Sequence, residues 1–308
     1  MTLQQLEYIV AVDSHRHFVR AAEACGVTQS TLSSMIRKLE AELDLVIFDR
    51  DSHPVRPTAP GERLIRQARV VLFNASQLHE MVRSEREADV GEVRLGVIPT
   101  IAPYVLPQLF RTVHETLPGV VLRASESRTE LLLRKLKLAE IDVALMATPI
   151  DDGELLEIPL YYEKFVAYVA PDEPLAAHSE IESGKMPSEH LWVLQEGHCL
   201  RNQVMNLCGR KSEYAAVYEA GSIDTLVKIV DLNGGYTVIP ELHVALLRDE
   251  QRRCIRPLVD PEPVREVSLV VRRDFVRERL LNLLAAALRT IIPERMVDPR
   301  LKKFAIRL

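Results

Sequence analysis

Apolar residues Phe18, Ala21, Ala22 and Cys25 fall at i, i+3, i+4 and i+7, the spacing of one helical face. Gly26 is a natural stop for that helix. Val27 precedes Thr28, a good N-cap, and pairs with Leu32 as a hydrophobic staple. The spacing predicts a second helix from Thr28 to about Leu43, with Leu32, Ile36, Leu39 and Leu43 inward. Its other face carries Gln29, Ser30, Thr31, Ser33, Ser34, Arg37 and Lys38. A helix, a tight turn and a second helix with a hydroxyl-rich, basic face is the layout of a helix-turn-helix. Small polar side chains approach base edges, and Arg37 or Lys38 reaches phosphate or guanine. A plain helical hairpin with a solvated face has the same pattern and stays open as an alternative. Beyond it, Val46-Ile47-Phe48 and Val55-Arg56-Pro57-Thr58 read as two short strands around a turn. That is a wing, with Arg50 and Arg56 placed to touch the DNA backbone.

After Pro60-Gly61 a long helical pattern runs to about Glu87. Leu64, Ala68, Val71, Ala75, Leu78 and Val82 recur with 4-3-4-3-4 spacing, the seam of a coiled coil. One narrow seam on so long a helix favours dimerisation, with packing on its own chain as the alternative. Asp89-Val90-Gly91 reads as a hinge.

From there strands and helices alternate. Glu92–Ile98, Val120–Ala124 and Asp142–Ala147 read as strands, with helices over Pro103–Thr116 (Leu106, Leu109, Phe110 and Val113 inward) and Thr129–Leu138 between them. This βαβαβ order predicts an α/β fold with a mostly parallel sheet. A second unit follows: strands near Phe165–Val169 and Leu191–Leu194, a helix over Ser222–Asn233 and a strand Tyr236–Ile239. Val267–Val271 reads as a returning strand and Arg279–Ile292 as a closing helix. Thr100 stands just past the first strand's C-terminal end, where α/β sheets build their sites.

Composition narrows the function classes. The 308 residues carry a net charge of −5, with 47 % hydrophobic and 27 % charged residues, an ordinary globular balance with no gross basic footprint. Residues 1–66 hold eight basic and nine acidic side chains, so any DNA-facing basic surface must be local. No run approaches the length of a membrane span. The first residues lack the basic start and apolar core of a signal peptide, so the expected location is the cytoplasm. Four cysteines are no disulfide scaffold, and in a reducing compartment a disulfide is regulatory or catalytic more often than structural.

Two of the four cysteines lie in Gly197-His198-Cys199-Leu200-Arg201-Asn202-Gln203-Val204-Met205-Asn206-Leu207-Cys208. Positive charge lowers a thiol's pKa and the thiolate is its reactive form, so His198 and Arg201 beside Cys199 point to a reactive thiol. A metal site is disfavoured, because adjacent His and Cys ligate one ion poorly and no C-x2-C spacing is present. No cofactor is expected. An inert buried thiol remains the bland alternative, and it is the reading given to Cys25 and Cys254.

Residues 1–60, the long helix and the two-lobed remainder together resemble a LysR-type transcriptional regulator across essentially the whole chain. The Gly197–Arg201 segment with Cys208, and Gly96–Thr100 with Pro103-Tyr104, resemble the peroxide-sensing members of that family. The resemblance implies a winged helix-turn-helix domain (1–60), a linker and dimerisation helix (61–88), and a periplasmic-binding-protein-like α/β regulatory domain (91–302). The last divides into subdomain I, about 91–162 and 267–302, and subdomain II, about 163–266. It further implies a homodimer or homotetramer on promoter DNA and activation of antioxidant genes through RNA polymerase. Cys199 would be the peroxide-reacting thiol and Cys208 the resolving one, with reduction by a glutaredoxin or thioredoxin system. Thr100, Thr129 and His198 would orient hydrogen peroxide, and Arg265 would supply positive charge. Two positions depart: Asn202 stands where the family usually has Asp, and Leu207 where an aromatic is familiar. A regulator holding a small metabolite at Thr100 and Thr129, and a thiol peroxidase, are the rival classes.

If Arg201–Cys208 is helical when reduced and Cys199 sits at or just before its start, nine residues at about 1.5 Å each separate the cysteines by about 13.5 Å. A disulfide needs Cα atoms within about 7 Å, so the bond requires the helix to unwind or swing.

Overall fold

Thr2 starts a helix that the apolar spacing above leaves out. Its hydroxyl accepts from Gln5 N, and the Gln5 side chain accepts from Thr2 N, a capping box written as Thr2-Leu3-Gln4-Gln5. In the computed structural model, which describes residues 1–84, 91–208 and 220–298, this helix is α1 (Leu3–His15). The chain divides into two compact units, residues 1–88 with 137–140 and residues 89–136 with 141–308.

In the first unit α2 (Phe18–Ala24) buries Ala21 and Ala22, and Gly26 ends it at a φ of 66° that suits glycine. α3 (Gln29–Leu43) is capped by Thr28, whose hydroxyl accepts from Thr31 N at 3.2 Å. Leu32, Ile36 and Leu39 are buried, but Leu43 is partly exposed because the helix ends there and Asp44 turns left-handed. The wing is shorter than predicted: β1 (Phe48–Asp49) pairs antiparallel with β2 (Arg56–Pro57). Val46 is exposed and Ile47 belongs to the helical core instead.

α4 (Ala59–Ser84) is the long helix. Its first turns pack on the chain itself. Ile65 and Ala68 are buried in the helix-turn-helix core, with Leu64, Val71 and Leu72 partly buried against it. Leu78, further along the predicted seam, is 66 % exposed. The Val82 side chain, the helix end near Glu87, and Asp89 and Val90 of the predicted hinge lie outside the described residues.

The second unit opens with β3 (Gly91–Val97), α5 (Ala102–Thr116), β4 (Val120–Glu126), α6 (Thr129–Lys137) and β5 (Val143–Thr148). β3 lies between β4 and β5, parallel to both. α5 buries Tyr104, Val105, Leu109 and Val113, while Phe110, predicted inward, is 44 % exposed. There follow β6 (Leu155–Val169), β7 (Ile181–Glu182), α7 (Cys199–Cys208), α8 (Ile223–Asn233), β8 (Tyr236–Pro240), α9 (Asp249–Arg252), β9 (Ile255–Val259), β10 (Val264–Arg272) and α10 (Glu278–Ile291). Ser222 caps α8 by accepting from Thr225 N. The predicted strand Leu191–Leu194 reduces to isolated bridges at Leu191 and Leu194.

The sheet is mixed rather than mostly parallel. Its order is β4-β3-β5-β10-β6-β9-β7, with β8 also on β6. β10 runs antiparallel to both β5 and β6, and β6 antiparallel to β8 and β9. The long strand β6 serves two hydrophobic cores. Leu155, Leu160 and Tyr161 belong to one with β3, β5, α5 and α10, and Phe165, Ala167, Tyr168 and Val169 to the other with α8 and β8.

Candidate thiol site

α7 begins at Cys199, so its first N–H groups face the thiol at the positive end of the helix. The two cores meet here. The Cys199 side chain is buried in the first core, while Leu200 and Val204 of the same helix pack in the second. Gly197, just before, adopts a φ of 87°, and a Cβ there would come within 3.0 Å of the Arg128 Cδ. Glycine therefore satisfies both the backbone turn and the close approach of Arg128.

Burial is the largest influence on the Cys199 thiol and pushes its pKa up. The Arg265 guanidinium is the largest opposing one, followed by the Thr129 hydroxyl and the N–H groups of Leu200 and Cys199. His198 is buried too, and burial with the nearby Arg128 charge lowers its pKa, favouring the neutral imidazole. Arg201 turns elsewhere: its Nη1 donates to the Leu194 carbonyl at 3.0 Å. The positive charge acting on the thiol thus comes from Arg265, distant in sequence, rather than from His198 or Arg201, its neighbours in the chain.

Arg265 is wholly buried and held on several sides. Its Nη1 donates to Thr100 Oγ1 at 3.0 Å, and its Nη2 to the Thr100 carbonyl at 3.2 Å and the Tyr104 hydroxyl at 2.9 Å. Nε and Nη2 also donate to Glu163 Oε2 at 3.0 and 2.7 Å. Glu163 and Arg265 face each other directly across β6 and β10. Removing one partner of such a buried ion pair strands the other charge and costs about 3–5 kcal/mol. Thr129 Oγ1 is buried and makes no standard hydrogen bond to a described residue, although it stands near enough to the thiol to favour the thiolate. Its hydroxyl therefore retains hydrogen-bonding capacity beside the sulfur.

The structure thus groups Cys199, Thr100, Thr129 and Arg265, with His198 adjoining in the chain. Sequence reasoning missed Glu163 and Gln203. The signal for Glu163 was a carboxylate flanked by large aromatics, Tyr161 and Tyr162 before it and Phe165 after. Gln203 is wholly buried inside α7 with neither amide atom hydrogen-bonded among the described residues. Cys208 ends α7, but its side chain and that of Leu207 lie outside the described residues. Cys25 and Cys254 are both partly buried, and burial raises both thiols' pKa. Among the described residues no cluster of His, Cys, Asp or Glu could hold a metal ion, and no helix is long and apolar enough to cross a membrane.

On α3, Gln29, Ser30, Thr31, Ser34, Arg37 and Lys38 are exposed on one side, as is Arg56 on the wing. Ser33 is half-buried and accepts from Arg50 Nη1 at 3.2 Å. Arg50 is braced inside the domain: it pairs with Glu40 at 2.8 Å and lies over the Phe18 ring. Glu40 in turn accepts from Ile47 N at 2.9 Å, tying the approach to the wing onto α3.

Residues 3–62 match the bacterial regulatory helix-turn-helix protein, lysR family, and residues 86–292 match the LysR substrate binding domain. A hydrogen peroxide-inducible genes activator of Pectobacterium carotovorum subsp. carotovorum is 37 % identical over 273 residues, covering 88 % of this chain and 90 % of the relative. The DNA-binding transcriptional dual regulator OxyR of Escherichia coli K12 is 35 % identical, covering 94 % of this chain and 95 % of the relative. Among solved structures, a full-length cysteine-to-aspartate variant of OxyR from Pseudomonas aeruginosa superposes with a TM-score of 0.80 at 34 % identity, covering 94 % of this chain and 98 % of that one. A hydrogen-peroxide-bound OxyR variant from Corynebacterium glutamicum gives 0.61 at 31 % identity, covering 94 % of each. The chain therefore belongs to the LysR family of bacterial helix-turn-helix regulators and, within it, to the OxyR hydrogen peroxide-inducible genes activators.

Proposed function

We propose that this protein is a DNA-binding transcription regulator that senses hydrogen peroxide through Cys199 and activates antioxidant genes. The observation that carries the reading is the thiol's setting: a buried sulfur at a helix start, with Arg265 opposing its burial and a free-handed Thr129 hydroxyl alongside. Thr100, Thr129 and His198 orient the peroxide. The Cys199 thiolate attacks one peroxide oxygen, the O–O bond breaks, and the leaving hydroxide takes a proton to become water. The resulting sulfenic acid condenses with the Cys208 thiol, releasing a second water and forming the disulfide. A glutaredoxin or thioredoxin system returns both thiols.

α7 supports coupling of this chemistry to conformation. With the cysteines at its two ends, about 13.5 Å apart along the axis, the disulfide requires the helix to come apart. Closing a ten-residue loop biases that change by roughly 2.7 kcal/mol, about a hundredfold in a near-balanced equilibrium. Residues 1–60 read DNA through Gln29, Ser30, Thr31, Ser34, Arg37, Lys38 and Arg56, residues 61–88 link and dimerise, and residues 91–302 sense. In that last domain the two cores support subdomain I at about 91–162 and 267–302, and subdomain II at about 163–266. The functional form is a homodimer or homotetramer on promoter DNA, acting through RNA polymerase in the cytoplasm.

The test is a thiol-trapping titration with hydrogen peroxide on the full chain, scored for a Cys199–Cys208 linked peptide and for the operator footprint. The linked peptide and an altered footprint should appear together. Cys199→Ser should abolish both. A response preserved in Cys199→Ser would overturn the reading in favour of a metabolite-binding regulator.

A further inference from the structure

Arg265 acts on the sulfur but does not act alone, because a carboxylate shares its guanidinium. Glu163 is wholly buried on β6, directly opposite Arg265 in the strand register. Its Oε2 accepts from Arg265 Nε and Nη2 at 3.0 and 2.7 Å and from the Tyr104 hydroxyl at 3.0 Å. Its Oε1 accepts from Leu242 N at 3.0 Å. One carboxylate therefore joins β10, α5 and the turn after β8. We propose that Glu163 is a positioning residue of the thiol site: its carboxylate fixes the Arg265 guanidinium against Thr100 and partly cancels that guanidinium's field at the Cys199 sulfur. It thereby governs how much of this cysteine is thiolate at rest. The proposal rests on Cys199 being the sensing thiol.

Arg265 keeps contacts that do not depend on Glu163, namely the Thr100 hydroxyl, the Thr100 carbonyl and the Tyr104 hydroxyl. Removing the negative charge alone should leave the guanidinium in place with its field less cancelled. The other titratable groups acting on Arg265 are Tyr104 on α5 and Tyr161 on β6, both neutral at physiological pH because burial raises their pKa. His243, in the turn after β8, also senses the Arg265 charge; burial favours its neutral form. Arg128 acts on the neighbouring His198. No other carboxylate hydrogen-bonds Arg265 among the described residues, so Glu163 is the charge to vary.

The experiment measures the rate of Cys199 alkylation by iodoacetamide in the full chain, read on the Cys199 peptide by mass spectrometry between about pH 5 and pH 10. In Glu163→Gln the midpoint of the profile should fall by about one pH unit; the larger thiolate fraction, offset by the weaker nucleophilicity of a lower-pKa thiolate, makes alkylation about threefold faster at any pH below both midpoints. Glu163→Asp, which keeps the charge, should stay near the wild-type midpoint. A folded Glu163→Gln protein with an unchanged or raised midpoint overturns the proposal, since a merely structural role would alter stability without moving the titration. The glutamine places an amide donor among the donors of Leu242 and Arg265, so Glu163→Ala, which removes the charge without adding a donor, makes the same comparison with Glu163→Asp should that variant not fold. Parallel sulfenic-acid trapping with hydrogen peroxide separates the two readings. If wild-type Cys199 gives no sulfenic acid, the sensing assignment fails, while the alkylation profile still reports on Glu163.

Discussion

At the scale of single residues, the thiol site shows why neighbours in sequence mislead. Arg201 stands two positions beyond Cys199, but two steps on a helix turn the side chain about 200° away. Its guanidinium accordingly meets the Leu194 carbonyl. Arg265 is 66 positions away and reaches the sulfur's surroundings only because β10 passes there. Resemblance named Arg265, Thr100 and Thr129; composition and spacing alone gave only Thr100, from its place after β3. Gln203 escaped both, since a glutamine in an amphipathic helix carries no signal until its burial is known. A buried amide without partners costs about 1–3 kcal/mol for each group left unmade. Among the described residues nothing offsets that cost for the Gln203 amide in α7. Gln203→Met, of similar size but without the amide, should raise the reduced protein's stability to chemical denaturation by about 1–3 kcal/mol and slow disulfide formation at fixed peroxide. Unchanged denaturation would show that the amide finds partners in solution.

At the scale of elements, α7 is the part that must give way. Asn202 and Asn206 are exposed on it, and asparagine is a weak helix former. Asn202→Ala with Asn206→Ala should stabilise the helix by about 1 kcal/mol in total and slow Cys199–Cys208 linkage about fivefold, with sulfenic-acid formation at Cys199 little changed. Stopped-flow oxidation followed by peptide mapping separates the two steps; equal slowing of both would contradict a helix-opening barrier. The helices of the first unit were legible because caps and 3.6-residue spacing are local. The exception, α1, announces itself through its capping box and not through its apolar face. The sheet was less legible. β10 enters between β5 and β6 from more than a hundred positions away, a pairing no local pattern encodes. The first ten residues of β6 hide behind Pro159, Glu157, Glu163 and Lys164. Of these charges only Glu163 is wholly buried, and Arg265 on a distant strand satisfies it, while Glu157 and Lys164 stay part-exposed. Arg50 is the mirror case: in the sequence it looks free to meet DNA, and in the fold it braces Glu40.

At the scale of the whole molecule, burial of neutral histidines ties stability to pH. Burial lowers the pKa of His198, helped by Arg128, and that of His243, against the opposing influence of Asp224, 3.5 Å from its Nε2. An unfolded histidine takes up a proton below about pH 6.5, whereas these two resist it. The stability they contribute is therefore present above that pH and is lost as the pH falls. The reduced protein should show a decreasing Tm between about pH 7 and pH 5, and His243→Gln should flatten the slope. A wild-type slope retained in that variant would assign the acid sensitivity to other groups.

The division of α7 between two cores has a consequence for redox poise. Cys199 is packed with one core and its immediate successors with the other, so drawing the sulfur toward Cys208 takes a side chain out of the first while disturbing the second. The work of that extraction enters the reduction potential of the cysteine pair, at about 30 mV for each 1.4 kcal/mol. The potential is then a property of how well the interior is packed as much as of the thiols. A population of such chains that drifts in its core residues would also drift in the oxidant level at which it responds, with every atom of the reacting site unchanged.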